Sequence, residues 1–495
     1  MPSPTRPQTD RSPADMPASP KAFGWALGVS AALLAGGIAS RFFVDPVHAQ
    51  IAVQNQGYVP YSDAPIRYRD PVNDPVAIAQ RALDEGRAKL SYDKDRGYLP
   101  SVLQLLKVPV SSQTLVFSKT SFQFTKISAD HPRALYYNDD VYVGSVHQGK
   151  TVELVSFDPM QGAIFYLLDD VQSDKPTFKR AELDCTQCHI AAGTRGVPGV
   201  LLRSVYPSQT GSLIPRAPQY ITDQKSPLEQ RWGGWYVTGA LAPATMANAA
   251  AIGRPAGAGL ATDAPLPTLQ PLEKPFDASA YLTATSDQVA LLVLGHQTQM
   301  HNLITLTNYQ TRIALYALAQ GGGAGAAGAA ATSLDALPAP TQDRIRRPAE
   351  QLLRYLLFAG ETPLGGLDRR KVIASSAFAR EFAAQGARDG KGRSLRDFDL
   401  HDRIFRYPCS YLIYSSAFDA IPEPAKGYVY HRLFEVLTGQ DQSDDFAALS
   451  PQDRRNILSI LLETKPGLPA EWQAYAKASH LRVAQATATA RKSTL

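Results

Sequence analysis

The sequence predicts an α+β fold, with an antiparallel, β-rich N-terminal part followed by a mostly α-helical C-terminal part. Between Gln113 and Leu168 the chain consists of short runs of β-branched and aromatic residues separated by turn signals. From Thr285 onward, apolar residues recur at the three- and four-residue spacing of helices with one buried face. The 495-residue chain is 44% hydrophobic and 19% charged, which is typical of a globular protein.

The first 49 residues are predicted to be a signal peptide or an N-terminal anchor. Residues 22–40 are apolar and uncharged, and positively charged residues precede them. Val47 and Ala49 place small residues at the two positions that signal peptidase recognises. Cleavage would release a secreted chain, whereas retention would leave an inner-membrane anchor through residues 22–40. Both alternatives place the remainder in the periplasm or another extracytoplasmic space.

Residues 50–110 are predicted to be an irregular lead-in that contains one helix. Proline and polar residues dominate the beginning of this region. A helical pattern starts at Pro75, and Asp74 directly before it has the side chain of a good N-cap.

Residues 111–280 are predicted to form a β-rich region of about four to six strands, counted from the spacing of the turn signals. The sequence from Tyr137 to Val141 has the composition of a tight hairpin turn. The strand-like runs are TLVFS, SFQFTKI, RALYY, VYVGSV, TVELVSF and AIFYLL.

Residues 281–495 are predicted to form a helical domain with a low-complexity insertion at 320–332. Thr285 and Gln288 have the spacing of a capping box, and a helix is expected from Val289 to Leu318. Further helical patterns cover Pro348–Ala359, Ala377–Ala384, Tyr411–Asp419, Tyr428–Leu437 and Arg454–Glu463.

The most specific motif follows the β-rich runs and reads Cys185-Thr-Gln-Cys188-His189. Cysteines three residues apart lie about one helical turn apart, which matches the separation of the two vinyl groups of a porphyrin. A histidine directly after the second cysteine can then ligate the iron from one side. A short disulfide and half of a zinc site are the alternatives, but zinc requires two more ligands at short spacing.

The CTQCH motif resembles that of the c-type cytochromes. The blocks RALYYNDDVYVG, RWGGWYVTG, HQTQMHNL and RYPCSYLIYS are similar to large, otherwise uncharacterised mono-haem proteins of the bacterial cytochrome c family. The resemblance implies one covalent haem c with its iron. In that interpretation Cys185 and Cys188 form the thioether bonds, and His189 is the proximal metal ligand.

A second iron ligand is expected on the opposite side of the haem. Met246 lies in a loop-like setting 57 residues after His189, and is the first candidate metal ligand. His296 is the second, ahead of Met300 and His301, which share its predicted helix. The alternative for each is an ordinary core residue, since buried methionines and histidines more often pack than bind metal.

Arg231, Trp232 and Trp235 are candidate haem-binding residues. A haem is a large apolar disc with two carboxylates, which favours aromatic walls and an arginine or indole N–H at the propionates. A buried aromatic strand is the alternative. Arg203 is a weaker candidate for the propionates.

The function that these features predict is electron transfer by a periplasmic mono-haem cytochrome. Its partner would be a redox protein or a small electron donor or acceptor. The alternative is a peroxidase- or dehydrogenase-like oxidoreductase with an open sixth iron position, so the question of catalysis stays open. Nucleic acid is not an expected partner, because the net charge is only +5 and no run of five basic residues occurs.

Overall fold

A computed structural model describes residues 60–252, 264–274, 276–321 and 333–483. The predicted signal peptide or anchor, the first ten residues of the lead-in and all but the first two residues of the insertion at 320–332 lie outside the described residues. The predicted α+β class is correct.

The N-terminal half is built on an antiparallel sheet of seven strands. Their spatial order is β6-β5-β4-β3-β2-β1-β9. The remaining strands form two separate pairs, β7 with β8 and β10 with β11. The strands are β1 (Thr114–Val116), β2 (Arg133–Tyr137), β3 (Val141–Val146), β4 (Thr151–Asp158), β5 (Gly162–Asp169), β6 (Phe178–Arg180), β7 (Arg203–Ser204), β8 (Tyr220–Ile221), β9 (Trp235–Tyr236), β10 (Ala249–Ala251) and β11 (Leu269–Pro271).

Five of the six strand-like runs form strands of this sheet. The predicted hairpin is present, since Tyr137 of β2 pairs with Tyr142 of β3 around the Asn138 turn. The run SFQFTKI is an exception, because it forms a 3₁₀ turn at Phe124–Lys126 instead of a strand. Its two phenylalanines, Phe122 and Phe124, are more than half exposed, so no partner strand covers them.

Eleven α-helices occur among the described residues, most of them in the C-terminal half. Asp74 caps α1 as predicted, and accepts hydrogen bonds from the amides of Val76 and Ala77. The lead-in contains a second helix, α2, that was not predicted. The helices are α1 (Pro75–Asp84), α2 (Leu99–Leu105), α3 (Glu182–His189), α4 (Gln288–Gln320), α5 (Ala339–Leu356), α6 (Arg369–Ala374), α7 (Ala377–Ala384), α8 (Ser416–Asp419), α9 (Glu423–Thr438), α10 (Pro451–Thr464) and α11 (Ala470–Ala478).

The helix α4 lies at the centre of the structure and is buried on all sides from residue 288 to 305. Its N-cap is Asp287, which accepts from the amides of Val289 and Ala290, and not Thr285 as the capping-box pattern suggested. The next helix also differs from its prediction, because α5 begins nine residues before Pro348 and continues through it.

Both faces of the large sheet are buried. A cross-strand row of Tyr136, Val143, Leu154 and Tyr166 packs against α1 and α2. The neighbouring row, which contains Tyr142 and Phe165, faces the opposite way and joins the core around α4. The alternation of side chains along each strand therefore divides the sheet between two cores.

None of the described helices, the 33-residue α4 included, combines the length and the apolar composition that a membrane span requires.

Candidate functional site

The CTQCH motif lies on α3, a helix of eight residues that follows the last long strands of the sheet. No side chain caps its N-terminus, and Thr186 is its one buried residue. Cys188 is exposed, Cys185 is half-buried against the core around α4, and His189 is half-buried. Because no disulfide joins the two cysteines, both thiols are free.

Cys185, Cys188 and His189 line one cavity between α3, α4 and the sheet, which we call the Cys–His cavity. Most of its wall is apolar and comes from the sheet face that belongs to the core around α4. Burial in this wall raises the pKa of the Cys185 thiol to about 12. The apolar contributors include Leu135, Val155, Phe165, Leu167, Leu202 and Leu294.

The imidazole of His189 is held in one orientation. Its Nδ1 lies 2.8 Å from the carbonyl oxygen of Gly199, and its ring centroid lies 5.0 Å from that of Phe165. The amide of Gly199 donates in turn to the carbonyl of His189 at 3.0 Å, which closes the loop between them. Burial lowers the pKa of His189 and favours the neutral ring. With Nδ1–H donating to Gly199, the Nε2 lone pair is left for a metal.

The loop from residue 190 to 200 is fastened to α4 by side-chain amides. Asn302 donates to the carbonyl of Val200 at 2.8 Å and accepts from its amide at 3.1 Å. Gln299 donates to the carbonyl of Gly193 at 3.0 Å. A Cβ at Gly199 would clash with the Asn302 amide, so glycine is needed for this close approach. The helix α4 thereby fixes the carbonyl that orients His189.

A charged pair also lines the cavity. Arg133 of β2 forms an ion pair with Glu153 of β4, and their side chains are 19% and 13% exposed. The pair spans the intervening strand at Gly144, where a Cβ would lie within 2.9 Å of the Arg133 guanidinium. Ser121 and Gln123 donate to the other oxygen of Glu153 at 2.8 and 2.7 Å.

These residues fit a covalently attached haem. Two free thiols and an oriented imidazole line the same cavity, and most of its wall is apolar, as the face of a porphyrin requires. No group of three or more His, Cys, Asp and Glu side chains with the arrangement of a metal site occurs in the part of the chain that the structure describes.

The structure separates the predicted haem neighbours. Trp235 belongs to the cavity wall, and its indole N–H donates to the carbonyl of Arg203 at 2.7 Å. Arg231 and Trp232 do not line the cavity. The guanidinium of Arg231 is buried and donates to the carbonyls of Ser226 and Gln224, and Trp232 is fully buried in the core.

The structure does not bring Met246 into the cavity. Its side chain packs in a separate small cluster with Tyr206 and Ile214. Its sulfur accepts a hydrogen bond from the hydroxyl of Ser204 at 3.7 Å. Met246 therefore has the packing of an ordinary core methionine.

His296 also lies outside the cavity wall. Its Nδ1 lies 2.5 Å from the Gln224 side-chain oxygen, and its Nε2 lies 2.8 Å from the Ser410 hydroxyl, so both ring nitrogens are occupied. His301 is bonded to the carbonyl of Asp139 at 2.8 Å, and Met300 is fully buried.

Sequence reasoning missed Arg133, Gly144, Glu153, Gly199 and Asn302. One signal was present for Asn302, since α4 contains several amide and imidazole side chains between apolar residues. Such side chains in a buried helix require partners, and the loops around α4 supply them. The other four depend on contacts between separate strands or loops and have no local signature.

Comparison with family models, with curated proteins and with solved structures finds no match to this chain.

Proposed function

We propose that this chain is an extracytoplasmic mono-haem c-type cytochrome that transfers electrons. One observation carries the proposal. The two free thiols and the oriented imidazole of the CTQCH motif line a single apolar cavity. Thioether bonds from Cys185 and Cys188 would hold the haem, and His189 would ligate its iron through Nε2.

A bound haem would supply one-electron chemistry through its ferric and ferrous states. The protein contributes orientation and environment. The Gly199 carbonyl holds the tautomer of His189 that leaves Nε2 unprotonated, and the largely apolar wall offers the porphyrin a surface to pack against. The predicted export segment at 22–40 would deliver the chain to the compartment in which haem c is attached.

Electron exchange is favoured by the position of Cys188. Because this residue is exposed at the end of α3, the cofactor edge that it would hold lies close to the protein surface. A redox partner protein or a small electron donor or acceptor could reach that edge without a rearrangement of the fold.

A second candidate is an oxidoreductase with an open sixth iron position. It is favoured by the composition of the cavity wall, where His189 is the one histidine and no methionine occurs among the described lining residues. In this alternative a small substrate would occupy the side opposite His189, and the protein would be peroxidase- or dehydrogenase-like.

The attachment is tested on the purified exported protein after denaturation. We expect a haem spectrum that remains with the polypeptide in the parent and disappears in the Cys185→Ala/Cys188→Ala variant, because both thioether bonds are lost. Cys409→Ala is the matched control, since this thiol is buried away from the cavity, and it should retain the haem. A parent polypeptide without bound haem would refute the proposal.

Ligand binding then separates the two candidates. A low-spin ferric spectrum and slow binding of cyanide and carbon monoxide are expected for electron transfer. A high-spin ferric iron that binds cyanide at once would instead support the second candidate, the oxidoreductase with an open sixth iron position.

A further inference from the structure

The ion pair in the wall of the Cys–His cavity has an unusual construction. The side chain of Arg133 crosses from β2 over β3 and meets Glu153 on β4. Gly144 lies beneath the crossing, and a Cβ there would collide with the guanidinium. A glycine inside a strand weakens it, and is typical of a site where another group approaches closely.

The two partners differ in how fully their hydrogen-bonding capacity is used. Glu153 receives bonds at both carboxylate oxygens, from Arg133 at one and from Ser121 and Gln123 at the other. Arg133 engages one terminal nitrogen, Nη2, and no hydrogen bond of its other terminal nitrogen, Nη1, occurs among the described residues. Its Nε is buried and also lacks a partner there. A guanidinium has five N–H donors in a planar fork that matches a carboxylate. Arg133 therefore has donors to spare at the cavity.

Arg133 is also the one arginine or lysine among the described residues that line the cavity. A haem brings two carboxylates, and an anion in an apolar cavity is stable only when it is paired. The two arginines suggested by sequence have hydrogen-bond partners outside the cavity. Arg231 donates to two backbone carbonyls, and Arg203 donates to the side chain of Gln219.

We propose that Arg133 is the anchor for a haem propionate, and that Glu153 holds its guanidinium in place over Gly144. This inference rests on the haem assignment above and deepens it. Ser121 and Gln123 fix the carboxylate of Glu153, which in turn fixes Arg133. The sheet thus presents a cation whose unpaired donors are available to a carboxylate.

The test uses the haem-loaded protein and reads the propionates directly. The propionate bending band in the resonance Raman spectrum reports their hydrogen bonding. We expect this band to shift in Arg133→Gln and to shift less in Arg133→Lys, which keeps the charge but not the fork. Arg203→Gln is the matched control and should leave the band unchanged, because Arg203 does not line the cavity.

Reduction potential as a function of pH gives a second readout. Between pH 5 and 8 the parent should show a weak dependence, since Arg133 keeps the propionate ionised. Arg133→Gln should lower the potential at pH 8 and make it rise more steeply as the pH falls, because the unpaired propionate then takes up a proton.

Two further variants guard against a simple loss of folding. Glu153→Gln retains Arg133 but weakens the contact that positions it, and should shift the propionate band less than Arg133→Gln does. Arg133→Gln/Glu153→Gln leaves no unpaired charge on the protein's own side chains in the cavity wall, and should show the same band shift as Arg133→Gln. A haem-loaded double variant with the parent band would overturn the inference while the haem assignment stands. A parent without covalent haem would overturn both.

Discussion

The helices α3 and α4 are opposites in almost every respect. The helix α3 has eight residues, no side-chain cap and one buried residue. The helix α4 has 33 residues, a capping aspartate and a first half that is buried on all sides. The residues that would bind the cofactor lie on α3, whereas α4 carries amide side chains that bond to the surrounding loops.

The difference indicates how the site is kept in place. A helix of eight residues is marginal in water without tertiary support, so α3 cannot hold His189 precisely by itself. The position of the imidazole comes from the Gly199 carbonyl, and Asn302 of α4 fastens the adjacent Val200. The predicted cofactor ligands are therefore on the less stable helix α3, and the position of His189 depends on a loop that α4 holds in place.

The largest effect is expected when the hydrogen bonds between Asn302 and Val200 are removed. Asn302→Ala leaves the amide and the carbonyl of Val200 buried without partners, which should lower the free energy of unfolding by about 2–4 kcal/mol. It should also reduce the fraction of haem iron that is bound by His189, measured from the absorption spectrum alongside urea unfolding.

Asn308→Ala is the matched control on the same helix. Asn308 donates to the carbonyl of Ala420, which is not part of the loop that orients His189, so this variant should cost about 1 kcal/mol and leave the iron ligation intact. Equal effects of the two variants on iron ligation would contradict the inference that Asn302 of α4 fixes the position of His189 on α3.

A second pair of variants tests the two iron ligands predicted from sequence, of which His296 lies on α4 and Met246 does not. His296→Leu should lower the free energy of unfolding by about 2 kcal/mol, because Gln224 and Ser410 lose their partner. Met246→Leu should cost less than about 1.5 kcal/mol, since it replaces one apolar side chain by another of similar volume. Neither should change the haem spectrum, and a spectral change in either would restore that residue as the sixth ligand.

The last prediction concerns acidification. Burial lowers the pKa of His296 to about 3 and that of His301 to about 4, so the folded protein binds fewer protons than the unfolded chain below pH 6.5. Each histidine then contributes stability that is complete above pH 6.5 and is lost as the pH falls, by about 1 kcal/mol per pH unit. Urea unfolding between pH 6.5 and 5 should show a shallower slope in His296→Gln than in the parent. Equal pH dependence of the free energy of unfolding in the two proteins would contradict a lowered pKa of His296 in the folded state.

Local signals were sufficient for much of the fold. The β-rich runs and the turn signals between them predicted β2 to β5, and Asp74 before Pro75 predicted the start of α1. The CTQCH motif was recognisable because its chemistry requires adjacent residues. The run SFQFTKI misled, since its β-forming composition lacks a neighbouring strand with which to pair.

Contacts between residues that are distant in the sequence could not be predicted from local patterns. The strand β9 joins the edge of the sheet beside β1 although more than a hundred residues separate them. Arg133 of β2 and Glu153 of β4 form their ion pair across β3, so their spacing in the sequence does not predict the pair. The polar residues of α4 are buried, and their hydrogen-bond partners come from surrounding loops that are distant in the sequence.

The two buried faces of the sheet make the alignment of its strands unusually consequential. A shift of β2 or β4 by one residue would exchange the side chains that point to each core. Arg133 or Glu153 would then enter the layer of tyrosines and aliphatic residues against α1 and α2, where no counter-charge of the pair would follow it. A misaligned pairing would thus bury an unpaired charge, so the two residues that line the cavity also favour the observed register of β2 and β4.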